Sequence, residues 1–230
     1  MAEVCDLYAQ AGCLAEQGIH LVSTDEKTGM QALERLHPDL PAGPGRVQRR
    51  EYEYKRHGTL CLTANLEVWC GWVIAPTLGP TRTEADFLAH VQQTVATDPA
   101  AGWVFIVDNL NTHQSESLVV WVAQVCGIAA DLGVKGKRGV LRSQASRATF
   151  LSAKEHRIRC VYTPKHTSWL NQVEIWFSIL VRKLLRRSSC TSVEDLKARV
   201  LAFIDYFNRT MAKPIRWLYS AEPKPANGTG

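Results

Sequence analysis

Apolar positions change their spacing along this chain, and the changes predict an alternation of helices and strands. Residues 3–17 carry apolar side chains at helical spacing, and Gly18 ends that helix. Ile19–Val22 and Trp103–Val107 are short, nearly continuous apolar runs, which is typical of strands buried on both faces. Between them the pattern predicts further strands at residues 51–54, 59–66 and 68–75, with a hairpin turn at 65–67.

Helix signals dominate the second half of the chain. Thr83 precedes an acidic first turn and opens a helix to about residue 97, and Ser115 opens another to about residue 127. A strand at 159–162 follows, then helices over about 169–187 and from Thr191 onward. Antiparallel strands first and βαβ units afterwards predict an α/β fold: a mixed sheet, antiparallel meander plus parallel strands, flanked by helices.

Three segments interrupt this pattern. Residues 27–48 are rich in Pro and Gly and predict a long irregular loop, of the kind that usually has a function. Residues 131–156 are glycine-spaced and basic, which predicts an insertion. The end of the chain, 219–230, is predicted to be a disordered tail. The expected layout is an N-terminal helix at 1–18 and one domain over 19–218.

Composition excludes several classes of protein. The chain has 230 residues, 46% of them apolar, and no run approaches the ~18–20 apolar residues of a membrane helix. The acidic N-terminus lacks the layout of a signal peptide, so a cytoplasmic protein with no membrane partner is expected. Seven scattered cysteines without a Cys-x-x-Cys spacing argue against a disulfide framework or a structural zinc site.

Charge is strongly segregated. Residues 1–134 hold 8 basic and 16 acidic side chains, whereas residues 135–230 hold 19 basic and 6 acidic ones. This asymmetry favours a polyanion-binding surface in the C-terminal part. A solvated basic face without a partner is the alternative.

Three carboxylates occupy positions where a soluble core does not need them. Asp25 and Asp108 follow the two apolar strands, and Glu174 lies in an apolar helical run. Ligands of open α/β sheets sit at the carboxyl ends of the strands. Converging acids repel one another unless a cation holds them ionised, so the three predict a site for Mg²⁺ or Mn²⁺, with two ions clamping a phosphodiester.

Each acid also has an ordinary explanation. Asp25 could cap a loop, Asp108 could begin an Asx-turn, and Glu174 could be a surface helix residue. Glu174 is the hardest to explain in this way, because apolar side chains surround it in the sequence.

Polar and basic neighbours extend the predicted site. Asn109 and Asn111 could orient a phosphate or a metal-bound water, His113 could transfer a proton or simply cap a helix, and Asn171 could support Glu174 from the same helix face. The DNA-binding candidates are basic residues of the insertion, of the segment before the helix at 169–187, and of the end of that helix: Lys135, Lys137, Arg138, Lys165, His166, Arg182 and Lys183.

The motifs STDEKTG, VDNLNTH and TPKHTSWLNQVEIWFSIL resemble the DDE motifs of bacterial insertion-sequence transposases related to mariner-like elements. The resemblance spans about residues 15–218. It implies a ribonuclease-H-like DDE catalytic domain, with Asp25, Asp108 and Glu174 as catalytic and metal-binding residues. It also implies cleavage of double-stranded DNA at transposon ends, transfer of the 3′-end into target DNA, and a nucleoid-associated protein. By analogy, residues 27–57 are a clamp-like loop of a homodimer.

The chain departs from the family pattern in two ways. Family members usually carry an N-terminal helix-turn-helix region, which is not recognisable here, so a truncated copy or the product of a split reading frame is expected. The interval from Asp108 to Glu174 is about twice the usual one, and residues 131–156 account for the excess, as added DNA contact or as a structural extension. Alternatives are a non-enzymatic DNA-binding remnant, another ribonuclease-H-like nuclease, and a purely structural protein.

Overall fold

The computed structural model describes residues 1–38, 40–49 and 51–219. A five-stranded sheet with strand order β3-β2-β1-β4-β5 forms its centre. In chain order the elements are α1 (Ala2–Glu16), β1 (Ile19–Arg35), β2 (Tyr54–Glu67), β3 (Val73–Gly79), α2 (Glu84–Val95), β4 (Gly102–Val107), α3 (Glu116–Val125), α4 (Gln144–Leu151), β5 (Ile158–Tyr162), α5 (Val173–Lys183) and α6 (Val193–Thr210). Short 3-10 helices lie at Asn111–Gln114, Val140–Arg142, Ser168–Leu170 and Leu185–Arg187.

The sheet is mixed, and this confirms the predicted fold class. β1 pairs antiparallel with β2, and β2 with β3, whereas β1 pairs parallel with β4, and β4 with β5. The architecture is the predicted ribonuclease-H-like fold. Parallel pairing places the carboxyl ends of β4 and β5 at one edge, beside the point where β1 continues past β4.

Helices cover both faces of the sheet, and the side chains of β4 alternate between the two. Trp103, Phe105 and Val107 face a core made with α2, α3 and α4. Val104 and Ile106 face α1 on the other side, so α1 shares a core with the sheet. α5 and α6 pack on β1, β2 and β3 through a third apolar cluster. α5, which carries Glu174, is therefore held rigidly against the sheet.

The prediction of a loop over residues 27–48 is wrong for residues 27–35. β1 continues to Arg35 and pairs with β2 as far as Tyr54, which makes a long two-stranded arm. Two irregularities in the pairing, one beside Gly29 at φ 65°, break the alternation of inward and outward residues and hide the strand from a period-two analysis. Isolated bridges join 40 to 49 and 43 to 46 beyond the arm.

The hairpin between β2 and β3 also differs from the prediction. β2 extends through residues 65–67, and the turn occupies 68–72. Gly71 has φ 76°, and a Cβ there would lie 2.0 Å from the backbone oxygen of Lys213. Only glycine fits this close approach, so its position marks the turn.

The predicted insertion at 131–156 has two distinct parts. Residues 133–139 form a glycine-rich turn, in which a Cβ on Gly133 would lie 2.1 Å from the oxygen of Arg138. The second part contains α4, and its Leu141 and Leu151 are buried in the core with α3 and β5. This part is structural. The predicted disordered tail lies outside the described residues apart from Tyr219.

Two further features follow from the described residues. All seven cysteines are free thiols, and Cys5, Cys61, Cys160 and Cys190 are buried. No helix in the described ranges is long and apolar enough to span a membrane.

Candidate active site

The parallel register of β1 and β4 brings Asp25 and Asp108 to the same edge of the sheet. The last parallel pair is Ser23 with Ile106, and each aspartate lies two residues beyond it. The sequence pattern predicted Asp25 at the end of a strand. The structure places it inside β1, where it pairs with Ala64 of β2. Its side chain is buried, and the whole residue is 8% exposed. A rigid strand therefore holds this carboxylate, which excludes the loop-capping explanation.

The other two predicted acids lie near enough for their charges to act on Asp25. The pKa of Asp25 is raised to about 7, mainly by burial and to a smaller extent by the negative charges of Asp108, Glu26 and Glu174, while the hydrogen bond from the Glu26 backbone N–H acts to lower it. Glu174 lies in the first turn of α5 and is half-buried. The structure thus brings together side chains that are 83 and 66 residues apart in sequence.

Asn171 was predicted to support Glu174, but in the structure it supports Asp25. Its Nδ2 donates to Asp25 Oδ2 at 3.2 Å and to the backbone oxygen of Thr24 at 2.9 Å. Its Oδ1 accepts a hydrogen bond from Ser23, whose hydroxyl also accepts from the Val173 N–H. These contacts hold Asn171 in an extended conformation, so α5 begins at Val173 and not at about 169.

His113 is neither a surface residue nor a free proton donor. Its side chain is fully buried, with Nδ1 2.8 Å from Asp108 Oδ1 and Nε2 3.1 Å from Glu26 Oε1. Burial alone would lower the pKa of His113, but the hydrogen bonds to Asp108 and Glu26 outweigh it and raise the pKa to about 9. An imidazolium held between two carboxylates orients Asp108.

Asp108 has the opposite electrostatic balance to Asp25. Burial acts to raise its pKa, yet the hydrogen bond and charge of His113 prevail and lower it below the ordinary value. Asp108 Oδ1 also accepts from the Leu110 N–H at 3.0 Å, so the Asx-turn considered for this residue is present as well. Asp108 is therefore ionised at neutral pH, while Asp25 titrates near it.

Glu26 was missed by the sequence analysis. Its carboxylate is 4% exposed and bonds to His113 from the opposite face of β1 to Asp25. The alternation of side chains along a strand would have predicted that neighbours at 25 and 26 point apart. Its partner on a distant segment gave no signal in the sequence.

The two asparagines near Asp108 stabilise loops. Asn109 donates to the backbone oxygen of Thr163 and accepts from Gln114, and so joins the ends of β4 and β5. Asn111 accepts from Gln144 at 2.6 Å, which ties the 3-10 helix to α4. Asn109 therefore uses both its NH₂ group and its oxygen within the protein, whereas Asn111 uses its oxygen.

The basic candidates have different surroundings. Lys135 pairs with Glu116 at 3.2 Å and Arg138 pairs with Asp131 at 2.5 Å, whereas Lys137 is exposed without an acidic partner in the described part of the chain. Lys165 and His166 are exposed on the loop before the 3-10 helix, several residues ahead of α5. Arg182 and Lys183 are exposed in the last turn of α5.

The acids fit a hard divalent cation in their chemistry. Carboxylate oxygens are preferred ligands of Mg²⁺ and Mn²⁺, and a bound cation would offset both the burial of the Asp25 carboxylate and the charges of its acidic neighbours, which raise its pKa. Within the described ranges, however, no three His, Cys, Asp or Glu side chains already form a ligand shell. Asp25, Asp108 and Glu174 are the residues that would hold the metal.

Fold and site together define a ribonuclease-H-like enzyme with a cluster of acids at the sheet edge. The model of the DDE superfamily endonuclease family matches residues 20–197. The chain belongs to this family of endonucleases, which confirms the family indicated by the motifs. No curated protein matches the chain.

The structural comparison agrees with this membership. The fold is similar to that in the crystal structure of the Mos1 mariner paired end complex with Mn, with a TM-score of 0.54 and 12% identity over 89% of this chain and 53% of that chain. The Mos1 transposase paired-end complex with left transposon end matches at a TM-score of 0.33 and 14% identity, over 90% of this chain and 59% of that one. The chain therefore spans about half the length of its structural relatives.

Proposed function

We propose that this protein is the catalytic domain of a mariner-like insertion-sequence transposase, which cleaves DNA at transposon ends and transfers the 3′-end into target DNA. Two observations support this proposal: the register of β1 and β4 places Asp25 and Asp108 at one edge of the sheet, and the hydrogen bond from Asn171 to Asp25 holds the start of α5, with Glu174 in its first turn, beside that edge. The family membership agrees with it. These three acids would bind two Mg²⁺ or Mn²⁺ ions, which when bound neutralise charge on the attacking and leaving oxygens.

The neighbouring residues would position the acids. Asn171, braced by Ser23, fixes the rotamer of Asp25, and His113 fixes Asp108. Catalysis of phosphoryl transfer depends on such positioning more than on covalent chemistry by the protein. Displacing either brace would therefore weaken cleavage without removing a ligand.

Double-stranded DNA is the proposed substrate, and the basic C-terminal part would hold it. Some basic candidates have no acidic partner among the described residues, and they are better placed for phosphate contact than Lys135 and Arg138, which have one. They are Lys137, Lys165, His166, Arg182 and Lys183. We further propose a homodimer formed through the arm of residues 27–57, and a bacterial protein that acts at the nucleoid.

A plasmid-nicking assay tests the proposal. The purified chain should nick supercoiled DNA with Mn²⁺ or Mg²⁺ but not in EDTA, and Asp108→Asn should abolish nicking while DNA binding persists. Asp205→Asn removes a carboxylate from the exposed surface of α6 and serves as the matched control. Joining of 3′-ends to a target plasmid should follow the same pattern.

Other results would favour the alternatives. Undiminished nicking by Asp108→Asn would remove the assignment of the site. Binding to DNA without any metal-dependent nicking would identify a non-enzymatic remnant. Cleavage of RNA–DNA hybrids or branched junctions without 3′-joining would identify a different nuclease of the same fold.

A further inference from the structure

A row of polar side chains leads away from the acid cluster along α5. Glu174, Ser178, Arg182 and Arg186 recur every four residues, the last in the 3-10 helix that follows α5. Residues spaced in this way lie on one helix face. Together with Lys27 of β1, they line a cavity of about 190 Å³. Glu174 belongs to the cavity, so the row begins at the proposed metal site.

The cavity concentrates positive charge that the protein leaves unpaired. Across the described ranges, Lys27, Arg182 and Arg186 form no ion pair with a carboxylate. Two exposed arginines of α6 do form such pairs, Arg199 with Asp195 at 2.8 Å and Arg209 with Asp205 at 2.5 Å. Three cations around a small cavity repel one another unless an anion occupies it. The acid at the cavity edge, Glu174, is not within ion-pairing distance of them.

The dimensions of the row suit a nucleic-acid strand. With a helical rise of about 1.5 Å per residue, Ser178 is about 6 Å and Arg182 about 12 Å along the axis from Glu174. A DNA strand presents one phosphate per about 3.4 Å of duplex axis, so the stretch from Glu174 to Arg182 covers about three to four phosphate spacings. Arginine matches phosphate oxygens through its planar fork, and lysine contributes a point charge.

We propose that this cavity is a subsite for the phosphate groups that flank the scissile bond. In this subsite Arg182 and Arg186 donate to phosphate oxygens along the strand. Ser178 donates a hydroxyl, and Lys27 approaches from β1, two residues after Asp25. The proposal rests on the proposed function, because that function supplies DNA as the occupant. Arg182 belongs to this subsite and Lys183 does not, because Lys183 lies on the same helix but outside the cavity.

The chain offers a matched pair of double variants for the test. Arg182→Gln/Arg186→Gln empties the cavity of two cations, whereas Arg187→Gln/Lys197→Gln removes the same charge from exposed positions outside it. Both pairs are made in wild type for nicking and in the Asp108→Asn background for binding. Fluorescence anisotropy with a 30-base-pair duplex at several salt concentrations gives the affinity and its salt slope. Thermal melting verifies that both variants are folded.

The cavity variant should lose two phosphate contacts. Its plot of log affinity against log salt should become less steep by about 1.8, since each contact contributes about 0.9 to the steepness. Its nicking rate should fall at least tenfold. The control pair should change both quantities much less. Lys27→Gln should make the same plot less steep by about 0.9. Inorganic phosphate should compete weakly with the duplex for wild type and for the control pair, and less for the cavity variant.

Two results would overturn the subsite. If the cavity variant and the control pair have the same slope and nicking rate, the cations act as a general basic surface, while metal-dependent nicking by wild type still supports the proposed function. If wild type neither binds nor nicks DNA, the proposed function fails and the subsite loses its occupant. The two failures are therefore distinguishable.

Discussion

Replacing Asp25 by Asn should stabilise the metal-free protein at pH 8. The folded protein raises the pKa of this carboxyl from 3.8 to about 7, first through burial and then through the neighbouring acids. Because the folded pKa is the higher one, the associated stability is fully present below about pH 3.8 and is lost as the pH rises through about 7. At pH 8 the ionised carboxylate therefore opposes folding by up to about 4 kcal/mol.

The hydrogen bonds of Asp25 reduce the expected gain. The Glu26 N–H donates to Oδ1 at 2.8 Å and Asn171 Nδ2 donates to Oδ2 at 3.2 Å. An Asn side chain can accept only one of them, and facing the other donor with an amide NH₂ group loses about 1–2 kcal/mol. The net stabilisation by Asp25→Asn should be about 2–3 kcal/mol.

Urea unfolding in EDTA at pH 8 and pH 5 measures this effect. The advantage of Asp25→Asn should shrink by about 2–3 kcal/mol at pH 5, where the wild-type carboxyl is largely protonated in the folded state. Asp108→Asn is the contrasting variant. It should be destabilising at pH 8 by about 1–3 kcal/mol, because the His113 imidazolium 2.8 Å away loses its partner. Adding Mn²⁺ should stabilise wild type and not Asp25→Asn.

A less stable Asp25→Asn at pH 8 in EDTA would refute the reasoning. It would mean that the hydrogen bonds to the carboxylate outweigh its burial and the repulsion from neighbouring acids. The two carboxyl groups would then not differ in the direction of their pKa shifts, raised for Asp25 and lowered for Asp108. The need for a cation at this site would lose its physical basis.

Three further predictions concern the supporting structure. Asn171→Ala should slow metal-dependent nicking at least tenfold and weaken Mn²⁺ binding by calorimetry, while its melting temperature falls by only a few degrees. His113→Ala should lower the free energy of unfolding by about 2–4 kcal/mol at pH 7, and urea titrations should show this difference shrinking as the pH rises through about 9, where the folded imidazolium deprotonates. Gly71→Ala should destabilise the protein by more than about 2 kcal/mol in thermal melts, whereas Gly18→Ala, also at positive φ but with open space around it, should cost about 1 kcal/mol.

The order and class of the central elements could be predicted because their signals are local. Trp103–Val107 is apolar throughout and flanked by polar residues, and the structure has β4 at Gly102–Val107. The capping Thr83 and Ser115 likewise placed the starts of α2 and α3. Parallel pairing of the strands that precede Asp25 and Asp108 then brings the two acids together. This much of the site followed from strand patterns alone.

The second half of β1 and the start of α5 could not be predicted, because long-range contacts determine them. Residues 27–35 lose their alternation at two pairing irregularities, and only pairing with β2 shows them to be a strand. The apolar run around Glu174 favours helix from 169 onward. The contacts of Asn171 with Thr24 and Asp25 prevent the helix from beginning before Val173.

The roles of the site's polar residues were harder still to predict. Asn109 and Asn111 have the polarity of site residues, but each bonds to a segment more than 30 residues away. His113 carries its charge because Glu26 lies opposite Asp108 across the ring. Lys27 joins Arg182 in one cavity because β1 passes beside α5. Such pairings depend on the fold and leave no pattern in the sequence.

Iron-directed cleavage of the polypeptide tests the convergence of the acids most directly. Fe²⁺ would replace Mg²⁺ in the proposed site. It reduces added hydrogen peroxide to hydroxyl radicals, which cut only the backbone segments next to the bound ion, and ascorbate returns the Fe³⁺ formed to Fe²⁺. Cuts should occur around residues 25, 108 and 174 together, Mg²⁺ should suppress them, and Asp25→Asn should remove all three. Cuts confined to one of these segments, or cuts elsewhere that persist in the variant, would contradict a single metal site formed by these acids.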